Sequence, residues 1–143
     1  MPERVTPIHW IFSWAEAVER QRERIMTAPS LVAAQPDVLL LAAAIGGVLK
    51  TAALELGAEH KAIADFEQQI PNGKAMRDIV SHLDEYALGE GRLQRQGKAG
   101  RLVTLMRDGT GEIEMNMFGF KLEVNRAAEA VASLAAAVLD ARN

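Results

Sequence analysis

The segment Val38–Leu49, VLLLAAAIGGVL, decides the fold. It is apolar throughout, so a helix formed by it has no face suited to water and belongs at the centre of the protein. The segment is too short to cross a bilayer, which takes about 20 apolar residues. We predict that this helix has Asp37 in its first turn and ends near Leu56, after a loop bracketed by Pro29 and Pro36.

The composition limits the classes of protein that fit. The chain has 143 residues, 49% of them hydrophobic, which fits one globular domain with a single core. It has no cysteine, which excludes disulfides and thiolate metal clusters and fits the reducing cytoplasm. The segment Met1–Arg4 lacks the pattern of a signal peptide. The net charge is −3, so a polyanion would have to meet a local basic surface. We predict a single cytoplasmic domain over residues 1–143 with no membrane partner.

Periodicity and breaker residues predict further helices and a small sheet around the central helix. The sequence alternates on both sides of Asp108-Gly109, a typical hairpin dipeptide, and changes parity at Gly119, which predicts a bend and a third strand. The helices are predicted at about Ile8–Met26, Glu59–Gln69, Lys74–Leu88 and Arg126–Ala141, the last capped by Asn125, and the strands at Leu102–Arg107, Glu112–Phe118 and Phe120–Val124. The predicted fold class is mainly α: an up-and-down helical bundle of four to five helices, with a small antiparallel β-meander at about 101–124 inserted before the last helix.

Two features of the first and central helices bear on contacts with a partner chain. Trp10 and Trp14 form a second apolar stripe beside the inward stripe of the first helix. Gly46 and Gly47 leave the central helix almost without side chain, which lets another backbone approach closely or marks a kink. We predict that these four residues form a dimer interface. The alternative, that the tryptophans pack under the protein's own loops, stays open.

The segment Met76–Tyr86, MRDIVSHLDEY, concentrates the chemistry of the chain on one predicted helix. Metal-free RNA cleavage needs a base for the ribose 2′-hydroxyl, an acid for the leaving oxygen and a cation for the charged transition state. His82 supplies an imidazole that exchanges protons near neutral pH, and Arg77 supplies a guanidinium fork that fits phosphate oxygens. One protomer has a single histidine here, so acid and base are both present only in a homodimer.

Arg77, Asp78 and His82 resemble the signature of the HEPN superfamily, an arginine with a polar neighbour and a histidine four to six residues later. The resemblance covers the helical parts, Ile8–Leu88 and from Arg126 onward, and the predicted sheet lies outside it. It implies a four- or five-helix bundle that dimerises through this region. Many members are metal-independent endoribonucleases of toxin–antitoxin and defence systems, and others are non-catalytic binding or dimerisation modules.

The resemblance implies roles for three residues. Arg77 would hold the scissile phosphate, His82 would transfer protons, and Asp78 would orient the guanidinium or the imidazole. No metal or other cofactor is implied, and the implied partners are RNA and an antitoxin-like protein. Some toxin members place a tyrosine two residues after the histidine, whereas Tyr86 lies four after His82. On an ideal helix Arg77 and His82 also point about 140° apart, so their convergence requires a long reach or the partner chain.

A Gly-rich loop after this helix carries the strongest basic patch in the sequence. Its cations are Arg92, Arg95, Lys98 and Arg101, which would guide an RNA backbone. The alternative is a solvated, mobile loop, and no aromatic residue interleaves with these cations to stack on bases. The loop lacks the lysine-then-hydroxyl ending of a phosphate-binding P-loop.

A structural interpretation competes with the ribonuclease. In it, Arg77 pairs with Asp84, Glu85 or Glu55, His82 caps a carbonyl group, and the chain is a non-catalytic helical dimerisation or adaptor protein. A dimer that places both His82 side chains in one open cleft with Arg77 favours the enzyme, and a buried or solitary His82 favours the adaptor. A metal site at His60 is not predicted, because no second histidine joins it.

Overall fold

The computed structural model describes residues 2–3 and 7–142, with side chains in the first helix from Trp10 onward. The described residues form seven helices and one three-stranded sheet that precedes the last helix. In chain order these are α1 (Pro7–Thr27), α2 (Leu31–Leu56), α3 (Lys61–Gln69), α4 (Gly73–Ser81), α5 (Leu83–Ala87), α6 (Arg92–Arg95), β1 (Val103–Arg107), β2 (Ile113–Met117), β3 (Phe120–Glu123) and α7 (Val124–Arg142). The mainly helical class and the place of the sheet are confirmed.

The central position of α2 is confirmed. It packs against α1, α4 and α7, and Leu41, Ile45 and Val48 on it are fully buried. The helix begins earlier than predicted, because the Ser30 hydroxyl accepts a hydrogen bond from the Ala33 N–H at 3.1 Å and caps it. The predicted loop at Pro36 is therefore wrong. Proline in this position removes one backbone hydrogen bond, and the extensive burial of the helix beyond it outweighs that loss.

The helix α2 is long and apolar enough to cross a membrane by length and composition. Its most apolar 18-residue window is, however, 61% buried inside the fold. A core helix of a folded domain shows this same combination, since its apolar side chains are covered by protein.

The predicted count of four to five helices is wrong, for two local reasons. The segment predicted as one helix over Lys74–Leu88 is divided at His82, whose backbone angles, φ −128° and ψ 37°, leave the helical region. The Gly-rich loop also contains the short helix α6, which the capping amide of Gln94 stabilises.

The sheet has the order β1-β2-β3 with antiparallel neighbours, as predicted. Ile113, Met115 and Met117 on β2 point into the core, which confirms the predicted face. The bend at Gly119 is a two-residue hairpin turn, because Met117 pairs with Phe120 and both turn residues have positive φ. One of them, Phe118, has φ 55° although it is not a glycine, and its side chain is buried.

The N-terminus of α7 is capped from another element. The Glu112 carboxylate accepts hydrogen bonds from the N–H groups of Asn125 at 2.9 Å and Arg126 at 3.1 Å. The predicted cap, Asn125, instead lies inside the helix. A carboxylate satisfies the free N–H groups and also interacts favourably with the helix dipole, so it is the stronger cap of the two.

We expect the substitution Glu112→Ala to lower the free energy of unfolding by about 1 to 2 kcal/mol, because it leaves two helical N–H groups without their acceptor. Thermal or urea unfolding measures the loss. Glu129→Ala, an exposed acid further along α7, is the matched control and is expected to change stability little. Equal losses for the two variants would contradict the capping role.

Candidate functional site: a basic groove beside α4

The helix α4 is held by its buried face. Met76 and Ile79 are fully buried in the core. The side chains of Arg77, Asp78 and Ser81 are therefore on the part of the helix that solvent reaches. The aliphatic part of the Arg77 side chain lies directly on Gly46 of α2. A Cβ atom at position 46 would come within 2.8 Å of the Arg77 Cγ, so the close approach requires glycine there.

The helix break at His82 brings the imidazole to the same side as Arg77. The angular divergence expected for an unbroken helix does not apply, because the chain leaves helical geometry at His82 itself. The His82 side chain is 54% exposed, and its Nδ1 lies 3.7 Å from a carboxylate oxygen of Glu85. The imidazole is therefore neither buried nor used as a cap among the described residues.

Arg77 and His82 line one open groove with a volume of about 500 Å³. Its cations are Lys74, Arg77, Arg92 and Lys98, and its single acid is Asp78. The charge of the lining is thus positive even though the whole chain is acidic. A groove of this charge attracts phosphate groups.

Asp78 makes different contacts from those predicted. Its carboxylate accepts a hydrogen bond from the Tyr86 hydroxyl at 2.7 Å and lies 3.6 Å from the Arg92 guanidinium. Its hydrogen bonds and ion pairs in the described part of the chain do not involve Arg77 or His82. The carboxylate therefore ties α4 to α5 and to the basic loop, which makes it a positioning residue for the groove wall.

Tyr86 is the centre of this arrangement. The side chain is 1% exposed, and its ring packs against Phe118 with 5.5 Å between ring centroids. Its hydroxyl donates to Asp78 and accepts from the Leu93 N–H at 3.2 Å. Burial of the phenol, together with its hydrogen bond to Asp78, raises the pKa of Tyr86. Through these two bonds Tyr86 joins α4, α5 and the start of the basic loop.

The basic loop is anchored by one amide side chain. The amide of Gln94 donates to the carbonyl groups of Tyr86 at 3.0 Å and Gly100 at 2.8 Å, and accepts from the Gly91 N–H at 2.7 Å. These bonds hold the loop against α5, while its four predicted cations stay exposed to solvent.

Two of the four predicted RNA-binding cations reach the groove. Arg92 and Lys98 line it, whereas Arg95 and Arg101 do not. The Arg101 guanidinium instead lies against Gly89. The sequence does not show which of the four cations line the groove, because the direction of each side chain depends on the loop conformation that the Gln94 hydrogen bonds stabilise.

We expect Gly91→Ala to cost about 1 to 3 kcal/mol of stability through overpacking. An added Cβ would overlap the ring of Tyr86, which is buried and held at both ends. The backbone at Gly91 is one that alanine adopts, so steric overlap alone is tested. Gly47→Ala is the matched comparison: its Cβ would meet the Trp14 ring, which is 40% exposed and free to shift, so the loss in a urea titration is expected to be smaller.

Of the four predicted interface residues, the two tryptophans are exposed and Gly46 is buried. Trp10 and Trp14 are 43% and 40% exposed, and the Trp14 ring lies against Gly47. Gly46 and Gly47 therefore contact Arg77 and Trp14 of their own chain, side by side on α2. The two glycines are thus covered by their own chain, and a dimer interface at the tryptophans stays a prediction.

The structural alternatives for these residues are not observed in the described part of the chain. None of its ion pairs involves Arg77, and Glu55 pairs with Arg142 at 2.9 Å. His60 caps α3, its Nδ1 accepting from the Ala62 N–H at 3.0 Å. No three His, Asp or Glu side chains among the described residues lie close enough together to hold a metal ion.

Sequence reasoning missed two residues of the groove. Lys74 adds a fourth cation, and Phe120 of β3 brings an aromatic side chain to the lining, where the sequence indicated none. Phe120 is 46 residues from Lys74 and on a different kind of element, so only the packing of β3 beside α4 places them together. The alternation of apolar residues in the third strand was the available signal for Phe120, since it shows which side chains share one face of that strand.

Comparison of the chain with protein-family profiles, with curated proteins and with solved structures finds no match. The resemblance to the HEPN superfamily therefore rests on the pattern of Arg77, Asp78 and His82 together with the helical architecture. What the groove does is inferred from the chemistry of its own side chains.

Proposed function

We propose that this protein is a metal-independent endoribonuclease of the HEPN type that acts as a homodimer in the cytoplasm. One observation carries the proposal: Arg77 and His82 line the same open groove, together with Lys74, Arg92 and Lys98. An exposed imidazole beside an arginine without an ion-pair partner in the described residues provides the proton transfer and charge stabilisation that RNA cleavage needs.

In the proposed reaction, one His82 takes the proton of the ribose 2′-hydroxyl as that oxygen attacks the adjacent phosphorus. Arg77 binds the non-bridging phosphate oxygens and stabilises their charge in the transition state. The His82 of the second copy donates a proton to the departing 5′-oxygen. The products are a 2′,3′-cyclic phosphate and a 5′-hydroxyl, and no bond requires a metal ion.

The need for two imidazoles is met by a partner that docks on the tryptophan surface. Trp14 and Arg77 contact adjacent glycines of α2, so a second copy that covers Trp10 and Trp14 has to extend across α2 towards α4 to reach the groove. Both tryptophans are exposed, and aromatic residues are enriched at protein interfaces relative to the rest of the surface. A two-fold arrangement would bring the two grooves near each other.

The remaining groove residues bind the substrate in this proposal. Arg92 and Lys98 pair with phosphates on either side of the scissile one, and the Phe120 ring offers a flat apolar surface for an unstacked base. Control by an antitoxin-like partner, which the HEPN resemblance implies, belongs to the same proposal.

A non-catalytic dimerisation or adaptor protein is the second candidate, favoured by the exposed Trp10 and Trp14. Both candidates use the tryptophan surface, and they differ only in the groove. The adaptor predicts a dimer in which groove residues are dispensable. The ribonuclease predicts that removal of the groove cations abolishes activity and leaves the dimer intact.

The decisive experiment incubates purified full-length protein with a single-stranded RNA of mixed sequence in excess EDTA. We expect cleavage to persist in the chelator and the products to end in 2′,3′-cyclic phosphates, detected by mass spectrometry. Cleavage that stops in EDTA, or products that end in 3′-hydroxyl groups, would contradict the mechanism. The absence of any cleavage by a dimeric protein would favour the adaptor.

A further inference from the structure

A second cavity lies on the other side of Arg77 from the groove. It opens between α2, the turn that follows α2, α3 and α4, and its volume is about 350 Å³. This size suits a small organic ligand. Its apolar lining consists of Leu49, Ala53, Leu54, Ala58 and Ile63.

The charged side chains of this cavity are unbalanced. They comprise three cations, Lys50, Lys74 and Arg77, and one acid, Glu67. Glu67 is already paired with Lys74 at 2.9 Å. Within the described part of the chain, Lys50 and Arg77 take part in no ion pair. Two uncompensated cations therefore stand beside an apolar surface.

We propose that this cavity binds a small anionic amphiphile, a molecule with an apolar chain or ring and one carboxylate or sulfonate. The apolar body covers Leu49, Ala53 and Ile63, and the head group pairs with Lys50 and Arg77. Both parts are needed: an uncharged chain leaves the cations unpaired, and a bare anion leaves the apolar lining in water.

Occupancy of this cavity also bears on the groove, because Arg77 and Lys74 line both. A head group bound to Arg77 neutralises the cation that the proposed ribonuclease uses for the scissile phosphate. The amphiphile is then an inhibitor, a consequence that rests on the proposed function. The binding site itself does not depend on it.

The test uses the native full-length protein and the fluorescent sulfonate 8-anilinonaphthalene-1-sulfonate, displaced by decanoate or by its uncharged analogue decanol. We expect decanoate to displace the dye at roughly tenfold lower concentration than decanol. Lys50→Ala is expected to reduce that difference, because it leaves Arg77 as the one cation of the site without an ion pair in the described residues. Lys61→Ala, an exposed lysine of α3 outside the cavity, is the matched control and is expected to retain it.

A second pair of variants tests whether a side chain that fills the cavity prevents dye binding. Ala58→Trp fills it from an exposed position and is expected to abolish dye binding, whereas Ala64→Trp on the exposed side of α3 is expected to leave it unchanged. Equal displacement by decanol and decanoate, dye binding that survives Ala58→Trp, or no dye binding to the native protein would each overturn the site. Decanoate binding by a protein that cleaves no RNA would uphold the site and refute the ribonuclease.

Discussion

The substitution His82→Ala is expected to lower the rate constant of RNA cleavage roughly 100- to 10,000-fold, the range for loss of a general acid or base. Stability is expected to change little, because the side chain is 54% exposed and makes no hydrogen bond among the described residues. Single-turnover cleavage measures the rate constant, and thermal unfolding checks the fold. Asp84→Ala, an exposed acid two residues further on, is the matched control and is expected to keep wild-type activity.

Because the mechanism uses one imidazole from each protomer, a mixed dimer with one variant chain is expected to be inactive. When wild-type chains exchange subunits with a tenfold excess of His82→Ala chains, about one wild-type chain in eleven keeps a wild-type partner. Activity for each wild-type chain is then expected to fall about tenfold. An Arg77→Ala excess is expected to act similarly if the composite site needs both guanidiniums. Undiminished activity in the mixture would contradict a shared active site and point to catalysis by single protomers.

The substitution Tyr86→Ala is expected to lower the free energy of unfolding by about 3 to 5 kcal/mol, the usual cost of removing a buried aromatic ring. It deletes the ring packed on Phe118 and Gly91, removes a hydrogen bond from Asp78 and leaves the Leu93 N–H without its acceptor. Tyr86→Phe keeps the ring and isolates the hydroxyl, with an expected loss of about 1 to 3 kcal/mol. Urea titration measures both.

The same tyrosine makes the free energy of unfolding depend on pH, with a sign that follows from its pKa. Burial, together with the hydrogen bond to Asp78, raises the pKa of Tyr86, so the folded protein holds the phenol proton more tightly than the unfolded chain. That contribution is fully present below the ordinary pKa of 10.0 and is lost as the pH rises through the folded-state value.

Alkaline titration checks this sign directly, because Tyr86 is the only tyrosine and phenolate absorbance reports it alone. We expect ionisation of the native protein to begin at higher pH than in urea, and Tyr86→Phe to lose stability less steeply above pH 10 than the wild type. Ionisation at the same pH in both states would mean that the ring is not enclosed as described.

Local pattern and long-range contact differ in how well the sequence reveals them. The apolar run Val38–Leu49 and the alternation Ile113, Met115, Met117 predict burial, because periodicity is a property of the segment alone. The Arg77 and His82 candidates also lie in one groove, as the ribonuclease hypothesis requires.

The features that sequence reasoning missed depend on distant partners. Glu112 caps α7 from the turn before β2, Phe120 joins a groove built on α4, and Asp78 is held by a tyrosine on the next helix. None of these contacts is reflected in the spacing of apolar residues along the chain. The helix break at His82 has no glycine or proline to signal it, so the pattern of apolar residues predicts a continuous helix there.

The contact of Arg77 with Gly46 has an evolutionary consequence. A side chain at position 46 and an arginine at position 77 compete for the same space, since a Cβ would stand 2.8 Å from the arginine Cγ. Descendants of this protein are expected to change the two positions together or not at all. A lineage that acquires alanine or serine at 46 while keeping a functional Arg77 would show that α2 and α4 have moved apart.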